Sequence, residues 1–220
     1  MTKIYIVRHC QALGNFTGVF QGSIDLDITD LGQKQLDCLH TRFENVHLDA
    51  VYSSPLIRTR LTAYAIRDIR EIDFFLEDGL IEINGGDLEG TKMTEIFEKI
   101  PDFEDIWKNR PQDFDPENGE PMTVSYERIY NTILKIARDN RGKTVACTSH
   151  GCIIRCLLCK IMHDDINKLA TVPIPRNTSV SLITVDDDDN INIEYLNDVS
   201  HLPAEYITPK KVNNIENNVR

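Results

Sequence analysis

Short β-branched apolar runs alternate along this chain with longer stretches in which apolar residues recur at helical spacing. Ile4, Tyr5, Ile6 and Val7 form the first run, which ends abruptly at Arg8-His9, the pattern of a strand buried on both faces. Behind Thr29, a good N-cap, Leu31, Leu36, Leu39 and Phe43 predict an amphipathic helix. Ala50-Val51-Tyr52 is a second strand. Ser53-Ser54-Pro55 then opens a helix over about 56–69, with Ser54 as its cap, Pro55 at the first helical position and Arg58 in the first turn. Phe74-Phe75-Leu76 is a third strand, and Thr144–Thr148 a fourth, followed at once by Ser149-His150-Gly151 and another helix. A long amphipathic helix covers Thr123–Arg138, and 177–185 pairs with 191–196 as a hairpin across the aspartate turn 186–189.

Strands alternating with helices predict an α/β three-layer sandwich, a mostly parallel sheet with helices on both faces. The glycine-punctuated stretch Gly79–Gly90 reads as a loop, and about 92–121, rich in Pro, Asp, Glu and Asn, as a small helical insertion over the crevice. No linker is long enough to separate independent units, so residues 1–220 are expected to form a single domain with a frayed tail from about 209. Arg8-His9, the Ser53–Arg58 segment and Ser149-His150-Gly151 each fall at a strand-to-helix junction. Open α/β sheets bind ligands at that carboxyl edge.

Charge sharpens the picture. The 220 residues hold 24 basic and 35 acidic side chains, a net charge of −11, which disfavours a nucleic-acid surface. A cluster of cations at one edge runs against that background. No run approaches the ~18 apolar residues of a membrane span, and the first strand begins without a basic-then-apolar leader, so a cytoplasmic protein with no membrane partner is expected. Six cysteines are too few for a disulfide framework. Cys156 and Cys159 lie on one apolar helix and lack the second pair a zinc site wants, so they read as core. The strand 191–196 is a candidate exposed sheet edge, through which a homodimer could form.

Two arginines and two histidines brought to one crevice make an anion site. Arg8 and Arg58 can each grip two phosphoryl oxygens in a fork that lysine cannot match. Helix N-termini next to Arg58 and Gly151 add backbone dipoles. The flanking guanidinium groups disfavour protonation of His9. His40, His47 and His163 lie away from the strand ends and read as surface or structural residues.

These residues, with Asn15, Gln21-Gly22, the run Ser53-Ser54-Pro55-Leu56 through Arg58, Glu82 ahead of Gly86 and Leu88-Glu89-Gly90, and Ser149-His150-Gly151, together resemble the histidine phosphatase superfamily, the phosphoglycerate-mutase-like clan. The resemblance runs from Lys3 to about Pro203 and takes in the closing Asn197–Leu202, where it gives His201 a supporting role. It implies that His9 attacks phosphorus to form phosphohistidine and that Glu82 gives a proton to the leaving oxygen. Arg8, Arg58 and His150 would hold the phosphoryl oxygens, with Asn15, Gln21, Gly22 and Gly151 completing the substrate-binding set. A phosphate dianion arriving beside Glu82 favours its protonated form. No cofactor and no metal are expected: two arginines at the site would repel a cation, which weighs against His9, His150 and Glu82 as metal ligands.

The chain departs from the family at Cys10, where glycine is usual, and at Ala12, often a hydroxyl residue. His9-Cys10 also resembles the H-C-x5-R loop of cysteine phosphatases, but that pattern needs arginine where Phe16 stands. Cys10 and Cys152 flank the cationic pocket and are expected to be acidified by it. Leu80–Lys92 carries only Lys92 as a base, fewer than a mutase needs, although Arg110 of the insertion could reach in. The reading is therefore a phosphomonoester hydrolase acting on a small phosphorylated metabolite. A mutase-type phosphotransferase and a non-catalytic phosphate-binding module are the alternatives. Phe16, Phe20, Phe97 and Phe103 are candidate apolar walls above the phosphate, with packing inside the insertion the competing role for Phe97 and Phe103.

Overall fold

Ile4 and Ile6 point to one face of the first strand while Val7 points to the other, and all three are buried, which requires cover on both sides. A computed structural model describes residues 1–208 and shows how that cover is supplied. Strands β1 (Thr2–Arg8), β2 (Ala50–Ser53), β3 (Asp73–Leu76) and β4 (Thr144–Ser149) are joined in one six-stranded sheet by β5 (Val180–Val185) and β6 (Ile191–Asp198). The order is β3-β2-β4-β1-β5-β6: the first four strands are parallel, and the β5–β6 hairpin adds an antiparallel edge.

Ile4 and Ile6 join a core with helices α6 (Met122–Asp139) and α7 (Gly151–His163). On the opposite face Val7, Val51 and Ala146 pack against Leu39 and Phe43 of α2 (Asp30–Phe43) and Ala63 and Ile66 of α3 (Ile57–Arg67). The result is the expected three-layer α/β sandwich. Thr29 caps α2, its side chain accepting from the Gly32 N–H at 3.0 Å.

The stretch after β1 is not only loop: Leu13–Thr17 forms a one-turn helix, α1, ended by Gly18 at φ 78°. The insertion carries α4 (Met93–Lys99) and α5 (Phe103–Asn109). Phe103 and Trp107 of α5 lie against Phe20 and Phe114, with ring centroids 5.3–6.2 Å apart. Phe20 and Phe103 are buried, so they anchor the insertion rather than wall a pocket, and Phe97 packs on Phe103. Phe16 alone of the four is open, 71 % exposed on α1. Among the described residues no helix is long and apolar enough to cross a membrane. The tail expected from about 209 lies outside the described residues.

Candidate active site

The parallel strands deliver their last residues to one edge. Arg8 and Ser149 are register partners at the ends of β1 and β4, and Ser53 closes β2 beside Thr148. The next residues in each chain segment, His9, Ser54 and His150, are all buried. The His9 and His150 rings face one another with centroids 5.2 Å apart.

The His9 Nδ1–H donates to the carbonyl of its neighbour Cys10 at 2.6 Å. A carbonyl oxygen can only accept, so the proton sits on Nδ1 and the lone pair on Nε2. Burial first, then the charges of Arg58 and Arg8, push the His9 pKa well below 6.5. The ring is held neutral with its Nε2 free to attack.

Arg58 is 1 % exposed, and its guanidinium is anchored almost all round. Nη1 donates to Ile24 O at 2.8 Å, Nη2 to Gly22 O at 2.7 Å and Nε to His150 Nδ1 at 3.2 Å. The Gln21 amide, turned with its oxygen towards Arg58, accepts from Nε (3.2 Å) and Nη1 (2.9 Å). Gly22 works through its carbonyl, and its backbone at φ +42° brings it so close to Glu89 that a Cβ would lie 2.2 Å from Oε1. Glu89 in turn ties the two loops together, accepting from Ser23 N, Ser23 Oγ and Gly85 N. Burial lowers the Arg58 pKa to about 10 against the opposing pull of Glu82, which leaves the group cationic at neutral pH.

Arg8 donates through Nη1 to Pro175 O, while its buried Nε has no partner among the described residues. An orphaned guanidinium N–H at this edge is a donor waiting for an acceptor. Gly151 makes room for it: a Cβ there would sit 3.0 Å from Arg8 Cζ and 3.1 Å from Nε. Glu82 accepts from the N–H groups of Cys152 and Ile153, both at 3.1 Å, at the N-terminus of α7, and from Ile83 N at 3.0 Å. Asn15 Oδ1 accepts from Ala12 N at 3.1 Å and from Asn177 Nδ2 at 3.3 Å, and Asn177 also donates to His9 O at 3.0 Å. Hydrogen bonds and close contacts therefore gather the sequence-predicted residues into neighbouring groups around one sheet edge.

Three features depart from expectation. Ser54 does not cap α3, whose N-cap is Leu56. Its Oγ instead lies 2.8 Å from His150 Nε2, so the residue belongs to the site. The Cys10 thiol is not acidified: burial outweighs the nearby Arg58 and pushes it up to about 12. Cys152 is likewise raised, through its hydrogen bond with Cys156 and its burial. Asn177 gives no signal in sequence beyond standing at the start of a strand run, yet it braces both His9 and Asn15.

Neutral imidazole, buried guanidinium groups and a carboxylate on one edge can transfer a phosphoryl group. Comparison with known proteins agrees. The model of the histidine phosphatase superfamily (branch 1) matches residues 4–199, and the chain belongs to that family. Phosphoserine phosphatase 1 of Hydrogenobacter thermophilus is 31 % identical over 211 residues, 96 % of this chain and 99 % of the relative. A metal-independent phosphoserine phosphatase of Arabidopsis thaliana is 30 % identical over 208 residues, 93 % of this chain and 84 % of the relative. The solved structure of Bacillus stearothermophilus YhfR superposes with a TM-score of 0.87 at 29 % identity, covering 91 % of this chain and 99 % of that one. The chain is a hydrolase of this family that acts on a small phosphorylated metabolite.

Proposed function

We propose that His9 Nε2 attacks phosphorus of a bound monoester, forming a P–N bond as the P–O bond to the alcohol breaks. Glu82 supplies the proton that the leaving oxygen takes. Water then attacks the phosphohistidine, Glu82 accepts a proton from it, and inorganic phosphate leaves with His9 restored. Arg8 Nε–H, Arg58 through its charge and the Nη2–H that Gly22 O leaves over, and the His150 Nε2–H, which Ser54 Oγ holds in the free enzyme and gives up to the incoming group, neutralise the oxygens of the group in flight, so that most of the acceleration is positioning and charge stabilisation. Asn15 and Gln21 act chiefly on the groups beside phosphate. The observation that carries this reading is the His9 Nδ1–Cys10 O hydrogen bond, which leaves Nε2 as the nucleophilic nitrogen of the ring.

The first substrate to test is phosphoserine, on the strength of the two phosphoserine phosphatase relatives at 31 % and 30 % identity. Hydrolysis rather than mutase transfer is supported by Arg110. Its Nε and Nη1 are engaged by Asp105 and Asp113 at 2.7 Å each, so this basic residue is already neutralised within the insertion. Residues 1–208 act as one unit in this reading, since the two cores share a single sheet. Phosphate release from phosphoserine, 3-phosphoglycerate, sugar phosphates and ribazole phosphate, each with and without chelator, tests it. The expected result is chelator-insensitive hydrolysis, fastest with phosphoserine and lost in His9→Ala. Metal-restored activity, or activity surviving His9→Ala, would contradict it.

A further inference from the structure

We propose that Arg128 is the positioning residue for Glu82, acting through the backbone on both sides of it with Glu120 as its partner. The inference rests on Glu82 being the proton donor. Arg128 lies on α6, well removed in sequence from the loop it holds. Its Nη1 donates to Gly79 O and Ile81 O, both at 2.9 Å, the second of these carbonyls belonging to the residue just before Glu82. Nε and Nη2 grip the two oxygens of Glu120 at 2.7 Å each, a bidentate pair that fixes the plane of the guanidinium. Glu120 N–H then donates to Asn84 O at 2.8 Å. One guanidinium thereby spans the chain from Gly79 to Asn84, with Glu82 near the middle.

The surrounding packing makes that span stiff. Gly79 lies so close to α6 that a Cβ would stand 2.0 Å from Thr132 Oγ1. The carboxylate of Glu82 is referenced to the N-terminus of α7, through Cys152 N and Ile153 N. The backbone of Glu82 is thus tied to α6 and its side chain to α7, two helices packed in the same core. Both partners of the ion pair are largely buried, with side chains 23 % and 17 % exposed. Burial works to raise the Glu120 pKa, and hydrogen bonding to Arg128 outweighs it, leaving the carboxyl below its ordinary value. Lysine cannot replace Arg128, because a single ammonium cannot hold a carboxylate by two edges and two carbonyls at once.

A plain strut and a positioning residue differ in what their loss does to different esters. A general acid matters for an alkyl ester, whose alkoxide leaves badly, and little for p-nitrophenyl phosphate, whose phenolate leaves without a proton. The experiment measures kcat/KM for both esters in Glu82→Gln, Arg128→Lys and Glu120→Gln. The expected result is a loss of about tenfold or more on the alkyl ester in all three, with p-nitrophenyl phosphate falling several-fold less. Glu120→Gln is close to isosteric and weakens only the bidentate grip that orients Arg128, so it carries the test if Arg128→Lys folds poorly. Equal losses on the two esters in the Arg128 and Glu120 variants, beside an unequal loss in Glu82→Gln, would overturn the positioning role alone. Equal losses in Glu82→Gln itself would overturn the assignment of Glu82 as donor and this inference with it.

Discussion

Arg58 Nε–H donates to His150 Nδ1 at 3.2 Å, and this bond decides where His150 keeps its proton. With Nδ1 accepting, the ring carries its hydrogen on Nε2, where Ser54 Oγ receives it at 2.8 Å. Arg58, His150 and Ser54 are therefore one chain of donors running through the buried edge of the sheet. Removing Ser54 Oγ leaves the Nε2–H without its partner and the ring free to turn. Ser54→Ala should lower kcat/KM by about tenfold, roughly 1.4 kcal/mol of transition-state stabilisation. Steady-state kinetics at saturating and limiting substrate check this, and unchanged kcat/KM would remove Ser54 from the site.

Two glycines act in different ways, and their alanine variants separate those ways. Gly22 sits at φ +42°, with Glu89 Oε1 2.2 Å and Ile83 O 3.0 Å from where a Cβ would be. Gly22→Ala should cost about 2 kcal/mol or more of stability through backbone strain and crowding. Gly151 lacks that strain, and the atoms nearest to where its Cβ would be are those of the Arg8 guanidinium and Ile174, at 3.0–3.1 Å. Gly151→Ala should displace Arg8 and lower kcat/KM about tenfold, while stability changes by less than about 1 kcal/mol. Urea unfolding and kinetics on both variants distinguish the two outcomes.

Burial, chiefly, holds three histidines neutral in the folded protein: His9 and His150 well below 6.5, and His201 at about 4. Below pH 6.5 the unfolded chain takes up protons on these residues and the folded chain does not. Unfolding free energy should then fall as pH drops from about 6.5 towards 4, the sign set by greater proton binding in the unfolded state. His201 Nδ1 accepts from Arg42 Nη1 at 3.2 Å, a role that an asparagine oxygen can fill. His201→Asn should therefore flatten the slope of stability against pH without abolishing folding. Identical slopes in the two proteins, measured by urea unfolding from pH 7 to 4.5, would contradict the assignment.

The thiols give a fourth prediction. Cys10 sits beside the nucleophile but is fully buried, with its pKa pushed up to about 12, and Cys147 is raised further by burial. Cys38 is the half-buried thiol on α2. Iodoacetamide on the native protein should modify Cys38 first, leaving Cys10 and the activity intact. Peptide mapping by mass spectrometry reads the order, and early loss of activity with Cys10 labelled would reverse the conclusion.

What can be read from the chain and what cannot follow from how far each signal reaches. β1, β2 and β4 are legible because a strand buried on both faces is a short apolar run with a sharp polar end, and Arg8, Ser53 and Ser149 mark those ends. The same junctions place His9, Arg58 and His150 together on sequence alone. Ser54 misleads because a serine ahead of a helix fits a local cap, and only tertiary structure brings His150 to its hydroxyl. Phe20 and Phe103 look like pocket walls for a similar reason. An aromatic residue near a site looks the same in sequence whether it lines a cavity or stacks on Trp107 and Phe114. The Cys10 thiol shows the limit of counting charges: two arginines nearby argue for a thiolate, but the burial that opposes it is invisible without the fold.

The central claim is a covalent phosphorus–nitrogen bond at His9 Nε2. The direct measurement is to mix the enzyme with 32P-labelled substrate, quench within a turnover and recover labelled peptide. A bond stable in alkali and labile in acid, mapped to the peptide holding His9 and missing in His9→Ala, is the predicted result. Label that survives acid and is lost in alkali, or full turnover with no label on His9 at any quench time, would contradict it.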